Sequence, residues 1–114
     1  MKNEISVLVK EDNKGEIEVL NAYVDEQKAK NESNKLNNNS LNGDIYYDLT
    51  STLDNKEILL SKPSKVYVVI RLSEDELDVM FSFETKEKAN SWGRYWESFE
   101  RDYKFKTFET NLIY

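Results

Sequence analysis

Carboxylates and aromatic rings are the side chains of this sequence best able to do chemistry, and each kind is grouped. Glu74, Asp75, Glu76 and Asp78 stand almost together. On an extended strand Glu76 and Asp78 leave one face, roughly 6.6 Å apart. At a shift of 60 positions, Glu16 and Glu18 occupy the matching places. A repeated acidic ridge of this kind can dock a basic protein surface by resembling a row of phosphates. If further carboxylates converge, acids can also hold magnesium for nucleic-acid chemistry. The same residues read equally as the solvated faces of two amphipathic strands, with Glu76 and Asp78 in water.

The second group is Trp92, Tyr95, Trp96, Phe99 and Tyr103, interleaved with Lys88, Arg94, Arg101, Lys104 and Lys106. Rings mixed with cations can stack single-stranded bases or form a protein-binding hot spot. Ala89, Trp92, Trp96, Phe99 and Tyr103 recur at steps of three and four, which places them on one helical face packed against a sheet. Arg94 and Tyr95 lie off that stripe and are the better candidates for an outward contact. Gly93, inside the same helix, costs roughly 1 kcal/mol relative to alanine.

The absences narrow the chemistry further. There is no histidine and no cysteine, which removes the commonest general base and the usual zinc and iron–sulfur ligands. Glycine occurs only at positions 15, 43 and 93, so no glycine-rich phosphate loop can be built. No cofactor is implied. With 22 Asp and Glu against 16 Lys and Arg, the net charge of −6 repels phosphate backbones and argues against direct nucleic-acid binding. No signal-like run follows Met1, and no segment approaches the roughly 20 apolar residues of a membrane span. The expected location is the cytoplasm, the host's if the chain is phage-encoded.

The elements that must position these groups come from a repeat. A shift of 60 aligns Ile17 with Leu77, Val19 with Val79, Tyr23 with Phe83 and Ala29 with Ala89, and the upstream strands match at a shift of 61. Each unit reads as hairpin then helix. Asp12 to Gly15 supply turn chemistry, and Asp25 and Thr85 are helix caps. Ile17, Val19 and Tyr23 are expected on one strand face, as are Leu77, Val79, Phe81 and Phe83. The expected fold is α+β: one domain of two related ββα(β) units, with helices packed on antiparallel sheet. Its parts are a first ββα unit over 1–43, a connecting hairpin over 44–64 and a second ββαβ unit over 65–114. The connecting hairpin pairs Ile45 to Leu49 with Ile58 to Leu60, and the Asn-rich stretch from Asn37 to Gly43 reads as a loop.

The junction from Val79 to Trp92, in which Phe83 ends a strand, Thr85 caps a helix and Glu87-Lys88-Ala89 precedes an aromatic, resembles a pattern in small phage and prophage ββα proteins of unknown function. Tyr23 to Ala29 repeats it less fully. The resemblance implies a mobile-element origin and transfers no active residues. The resulting expectation is a non-catalytic protein-binding module, an inhibitor of host or defence machinery in the manner of anti-CRISPR proteins. The alternatives are a carboxylate- and magnesium-dependent nucleic-acid-processing enzyme, or an immunity protein that neutralises a toxin. The candidate contact residues are Glu16, Glu18, Glu74, Asp75, Glu76, Asp78, Arg94 and Tyr95.

Overall fold

The computed structural model describes residues 4–40, 42–54, 62–73 and 77–114. The strands are β1 (Glu4–Glu11), β2 (Ile17–Tyr23), β3 (Ile45–Leu53), β4 (Lys65–Leu72), β5 (Leu77–Phe83) and β6 (Lys104–Ile113). The helices are α1 (Glu26–Asn38), between β2 and β3, and α2 (Lys86–Glu97), between β5 and β6.

The strands close into one barrel in the order β1-β2-β6-β4-β5-β3. Strands β1 and β4 each pair antiparallel with the two other strands of their own half of the chain. Two short parallel seams complete the ring. Ala22 and Tyr23 of β2 pair with Leu112 and Ile113 of β6, and Thr52 and Leu53 of β3 pair with Phe81 and Ser82 of β5. Among the described residues the architecture is therefore a mostly-β closed barrel with two helices, which corrects the expected α+β arrangement of ββα units with helices on antiparallel sheet. Alternation reveals strands and hairpins but does not say which strand ends meet, and each seam rests on only two registered pairs. The segment expected to form a connecting hairpin begins as β3, which pairs with β1 and β5 instead. Its expected second arm, Ile58 to Leu60, lies outside the described residues.

Both hairpins carry the same irregularity. Val9 pairs with Val19 and Leu8 with Asn21, so Leu20 is an extra residue; Ile70 pairs with Val79 and Val69 with Phe81, so Met80 is one too. Because side chains alternate with period two, one extra residue moves everything beyond it to the other face. Ile17, Val19, Leu77 and Val79 accordingly pack against the barrel interior, whereas Tyr23 and Phe83 join clusters on the outside. This corrects the expectation that each set shares one face.

The barrel interior is filled by Ile5, Val7, Val9, Ala22, Leu53, Val66, Val68, Ile70 and Leu112. Aliphatic side chains suit a six-stranded barrel, whose bore is too narrow to remain open. Outside, α1 lays Ala29 over Leu8 and Tyr23, and α2 lays Ala89 over Val69 and Phe83. Asp25 caps α1 by accepting from the Gln27 N–H at 2.9 Å. The β1–β2 turn is held by Asp12, whose Oδ1 accepts from the N–H groups of Glu16 at 2.8 Å and Lys14 at 2.9 Å. Gly15 there has φ +83°, a conformation that favours glycine.

The two seams differ in one polar detail. At β3–β5 the buried hydroxyls of Ser51 and Ser82 lie 2.7 Å apart and share a hydrogen bond. At β2–β6 the corresponding residues are Thr110 and Ala22, and the buried Thr110 hydroxyl has no hydrogen-bond partner among the described residues. A buried hydroxyl without a partner costs about 1–3 kcal/mol. Ser82→Ala is therefore expected to destabilise the fold by about 1–3 kcal/mol by orphaning Ser51, while Thr110→Val is neutral or stabilising. Denaturant unfolding of the two variants checks this, and equal losses would contradict it.

Candidate interaction surface

The outer face of α2 carries the most distinctive chemistry of the described structure. Thr85 caps the helix, its hydroxyl accepting from the Lys88 N–H at 3.3 Å. Ala89 and Gly93 are buried against the barrel. A Cβ built on Gly93 would meet Phe105 Cβ at 3.6 Å and Val69 Cγ1 at 3.8 Å, ordinary contact distances. Trp92 is half-buried at the centre of a ring cluster, with centroids 5.1 Å from Phe81, 6.1 Å from Phe83, 5.8 Å from Trp96 and 6.2 Å from Phe105. Tyr95 extends the cluster to Phe99 at 5.1 Å and Trp96 at 5.7 Å. These are the tilted and edge-on arrangements that aromatic quadrupoles favour.

Much of this cluster faces water. Phe99 is 66% exposed, Tyr95 60%, Trp96 38% and Phe81 37%. Together they expose about two whole aromatic side chains, roughly 300–500 Å². Apolar patches of that size on a monomer are often functional. An open groove of about 500 Å³ runs along the helix, lined by Phe83, Glu87, Lys88, Ser91, Trp92 and Tyr95. The expectation that Trp96 and Phe99 serve the core is corrected by their exposure. The helix ends at Glu97, so Phe99 lies in the turn beyond it. That turn is anchored on both sides. Glu97 accepts from the Phe105 N–H at 3.2 Å, and Glu100 pairs with Arg71 at 3.1 Å.

The other half of the barrel supplies an internal control. At a shift of 60 positions, Glu32, Lys35, Leu36 and Asn39 stand in place of Trp92, Tyr95, Trp96 and Phe99. Asn37 holds the start of β3 through Tyr46, as Glu97 holds β6 through Phe105. The helix therefore docks on the barrel without aromatic residues at those positions.

Among the described residues, the acidic candidates Glu16, Glu18 and Asp78 are not brought together. Glu16 and Glu18 are exposed at the β1–β2 hairpin. Asp78 lies on β5, which stands opposite β2 in the ring of six strands. Glu74, Asp75 and Glu76 lie outside the described residues. Glu18 and Asp78 also have cross-strand partners that the one-dimensional reading missed. Lys10 lies 3.9 Å from Glu18, and Arg71 binds Asp78 at 2.6 Å. Arg71 further sits 4.4 Å from the centroid of the Tyr103 ring. The bond to Asp78 raises the pKa of the guanidinium against the opposing effect of burial, with Glu100 adding to it. Arg94 and Tyr95 are both exposed on α2, and Arg94 has no ion pair among the described residues.

Among the described residues no three acidic side chains lie close enough to hold a metal ion. No helix among them is long and apolar enough to cross a membrane. No protein-family model matches the chain, and no curated protein or solved structure does either.

Two predictions follow from the electrostatics. Asp78→Lys is expected to lower stability by about 1 kcal/mol, since the pair is partly screened by solvent, and Glu18→Lys by less. Equal melting temperatures for both variants and the unaltered protein would contradict the Arg71 pairing. Burial first of all raises the phenols of Tyr23, Tyr47 and Tyr114 above the ordinary 10.0, and the hydrogen bond to Glu109 does so for Tyr67. A raised phenol stabilises the fold fully below its unfolded pKa, and the contribution is lost as pH rises through the folded value. Thermal stability is therefore expected to fall as pH climbs above 10.0, in step with late tyrosine ionisation in an absorbance titration. Ionisation of these four in the native protein below that pH would contradict the assignment.

Proposed function

We propose that this chain is a non-catalytic protein-binding module that meets its partner through the outer face of α2. The observation that carries the reading is the contrast between the two helices. Both dock on the barrel through a small buried residue, Ala29 or Ala89, yet only α2 adds Trp92, Tyr95, Trp96 and Phe99. Tyr95, Trp96 and Phe99, exposed beyond the rings packed on the barrel, have the composition of an interface hot spot. The groove is shallow and open, a form that receives side-chain anchors of a partner more readily than it encloses a small molecule. The chain's lack of histidine and cysteine supports the non-catalytic part of the reading. The β–α junction pattern extends it to a phage- or prophage-borne inhibitor of host or defence machinery.

Affinity capture tests the surface directly when three forms are compared: the unaltered protein, a Tyr95→Ala/Phe99→Ala variant and a Glu16→Lys/Glu18→Lys variant. The expected result is specific protein capture that the aromatic substitutions abolish and the acidic substitutions leave intact. The reverse pattern would contradict the assignment. So would quenching of Trp92 and Trp96 fluorescence by oligothymidine, which would mark the rings as a stacking platform for bases.

A further inference from the structure

We infer that in the free protein the α2 face is covered by a second copy of this chain, bound about a twofold axis with the two α2 helices antiparallel. The inference rests on the reading of that face as a contact surface and names what a captured partner must displace from it. A twofold interface requires one patch to complement itself, so every projection must meet a recess on the same patch. The α2 face has both. Phe99 stands exposed just beyond its C-terminal end. The groove runs from Phe83 to Tyr95, with Phe83, Glu87 and Lys88 at the end nearer the helix N-terminus.

The charges are arranged in the same sense. Glu87 stands in the first turn and Arg94 in the last. Seven residues separate them, nearly two full turns, so they lie on one side of the helix about 10 Å apart. Antiparallel pairing about a twofold axis near Asn90 and Ser91 sets Glu87 of each copy against Arg94 of the other. The same operation carries Phe99 of each copy to the Phe83 end of the opposite groove, and it opposes the two helix dipoles. Ser91, small and at the centre, permits close approach. The exposed ring surface is roughly half of the about 800 Å² that one partner buries in a standard interface. The charged rim must therefore take part, and the Glu87–Arg94 pairs are how it does so.

The test is a set of charge exchanges read by sedimentation equilibrium across a concentration series. The unaltered protein is expected to dimerise reversibly. Arg94→Glu and Glu87→Arg, each alone, place like charges at both pairs and are expected to raise the dimer Kd about tenfold or more. Mixing these two single variants restores both pairs, so a heterodimer is expected to form in preference to either homodimer. The Glu87→Arg/Arg94→Glu double variant is expected to dimerise nearly as well as the unaltered chain. Phe99→Ala, at an exposed position and with circular dichroism as the check on folding, is expected to be monomeric. A monomeric unaltered protein at every concentration, or single variants whose mixture fails to associate, would overturn the inference. If Tyr95→Ala/Phe99→Ala still abolished protein capture, the contact surface would stand and only the second copy would fall. If it left both capture and dimerisation unchanged, the surface itself would fall.

Discussion

Two parallel strand contacts hold the molecule in its form. Within each half of the chain, hairpins and the return strand pair antiparallel and are nearly local. The barrel exists because β2 meets β6 and β5 meets β3 across the two halves. Each contact is extended by one backbone bond beyond the paired residues. The Val24 N–H donates to the Ile113 carbonyl at 2.9 Å, and the Asp54 N–H donates to the Ser82 carbonyl at 3.0 Å. Without these seams the strands would form two small open sheets, each with bare edges and an uncovered apolar face. Closure removes the edges and buries one face of every strand in a common core. The bulges at Leu20 and Met80 serve the same end. They bend β2 and β5 and shift the alternation so that Tyr23 and Phe83 point outward, where the helices cover them.

A closed barrel offers no strand edge for a partner to extend, so the proposed recognition falls to side chains on the outside. The two halves separate what the scaffold needs from what it does not. Ala29 and Ala89, Tyr23 and Phe83, and Tyr46 and Phe105 occupy equivalent places in the outer clusters. These are packing positions. Where Lys35 and Asn39 give way to Tyr95 and Phe99, the α2 face carries apolar surface that the barrel does not use. That surplus is the physical basis for assigning the contact surface to α2. The acids lack such an argument, because Glu18 and Asp78 neutralise Lys10 and Arg71 on neighbouring strands.

Much of the local structure was legible in the residues. Alternation marked β1, a β-branched and aliphatic run marked β4, Asp12 to Gly15 marked the first turn, and Asp25 and Thr85 marked the helix starts. Arg94 and Tyr95 were recognisable as outward-facing because they leave the helical stripe. Other features lie beyond one-dimensional patterns. Alternation cannot show a bulge unless two adjacent apolar residues, such as Val19-Leu20 or Val79-Met80, are taken as a break in phase. Trp96 and Phe99 extend the stripe of α2, but α2 ends before Phe99 and both rings are exposed, so the stripe runs past its support. Ring closure itself leaves no signature, since two residue pairs per seam are too few to shape the sequence. The pairing of Asp78 with Arg71 depends on strand register, which follows from the bulge and was hidden with it.

Amide hydrogen exchange at the two seams tests closure most directly. Val24 and Asp54 donate the bonds that extend the seams, and Val7 and Leu49 pair across the long β1–β3 ladder. A closed barrel predicts that the Val24 and Asp54 amides are both protected and that seam protection is lost in the same global unfolding event as the β1–β3 ladder. Rapid exchange at either seam amide under conditions where the β1–β3 ladder stays protected would show an open sheet and contradict the account.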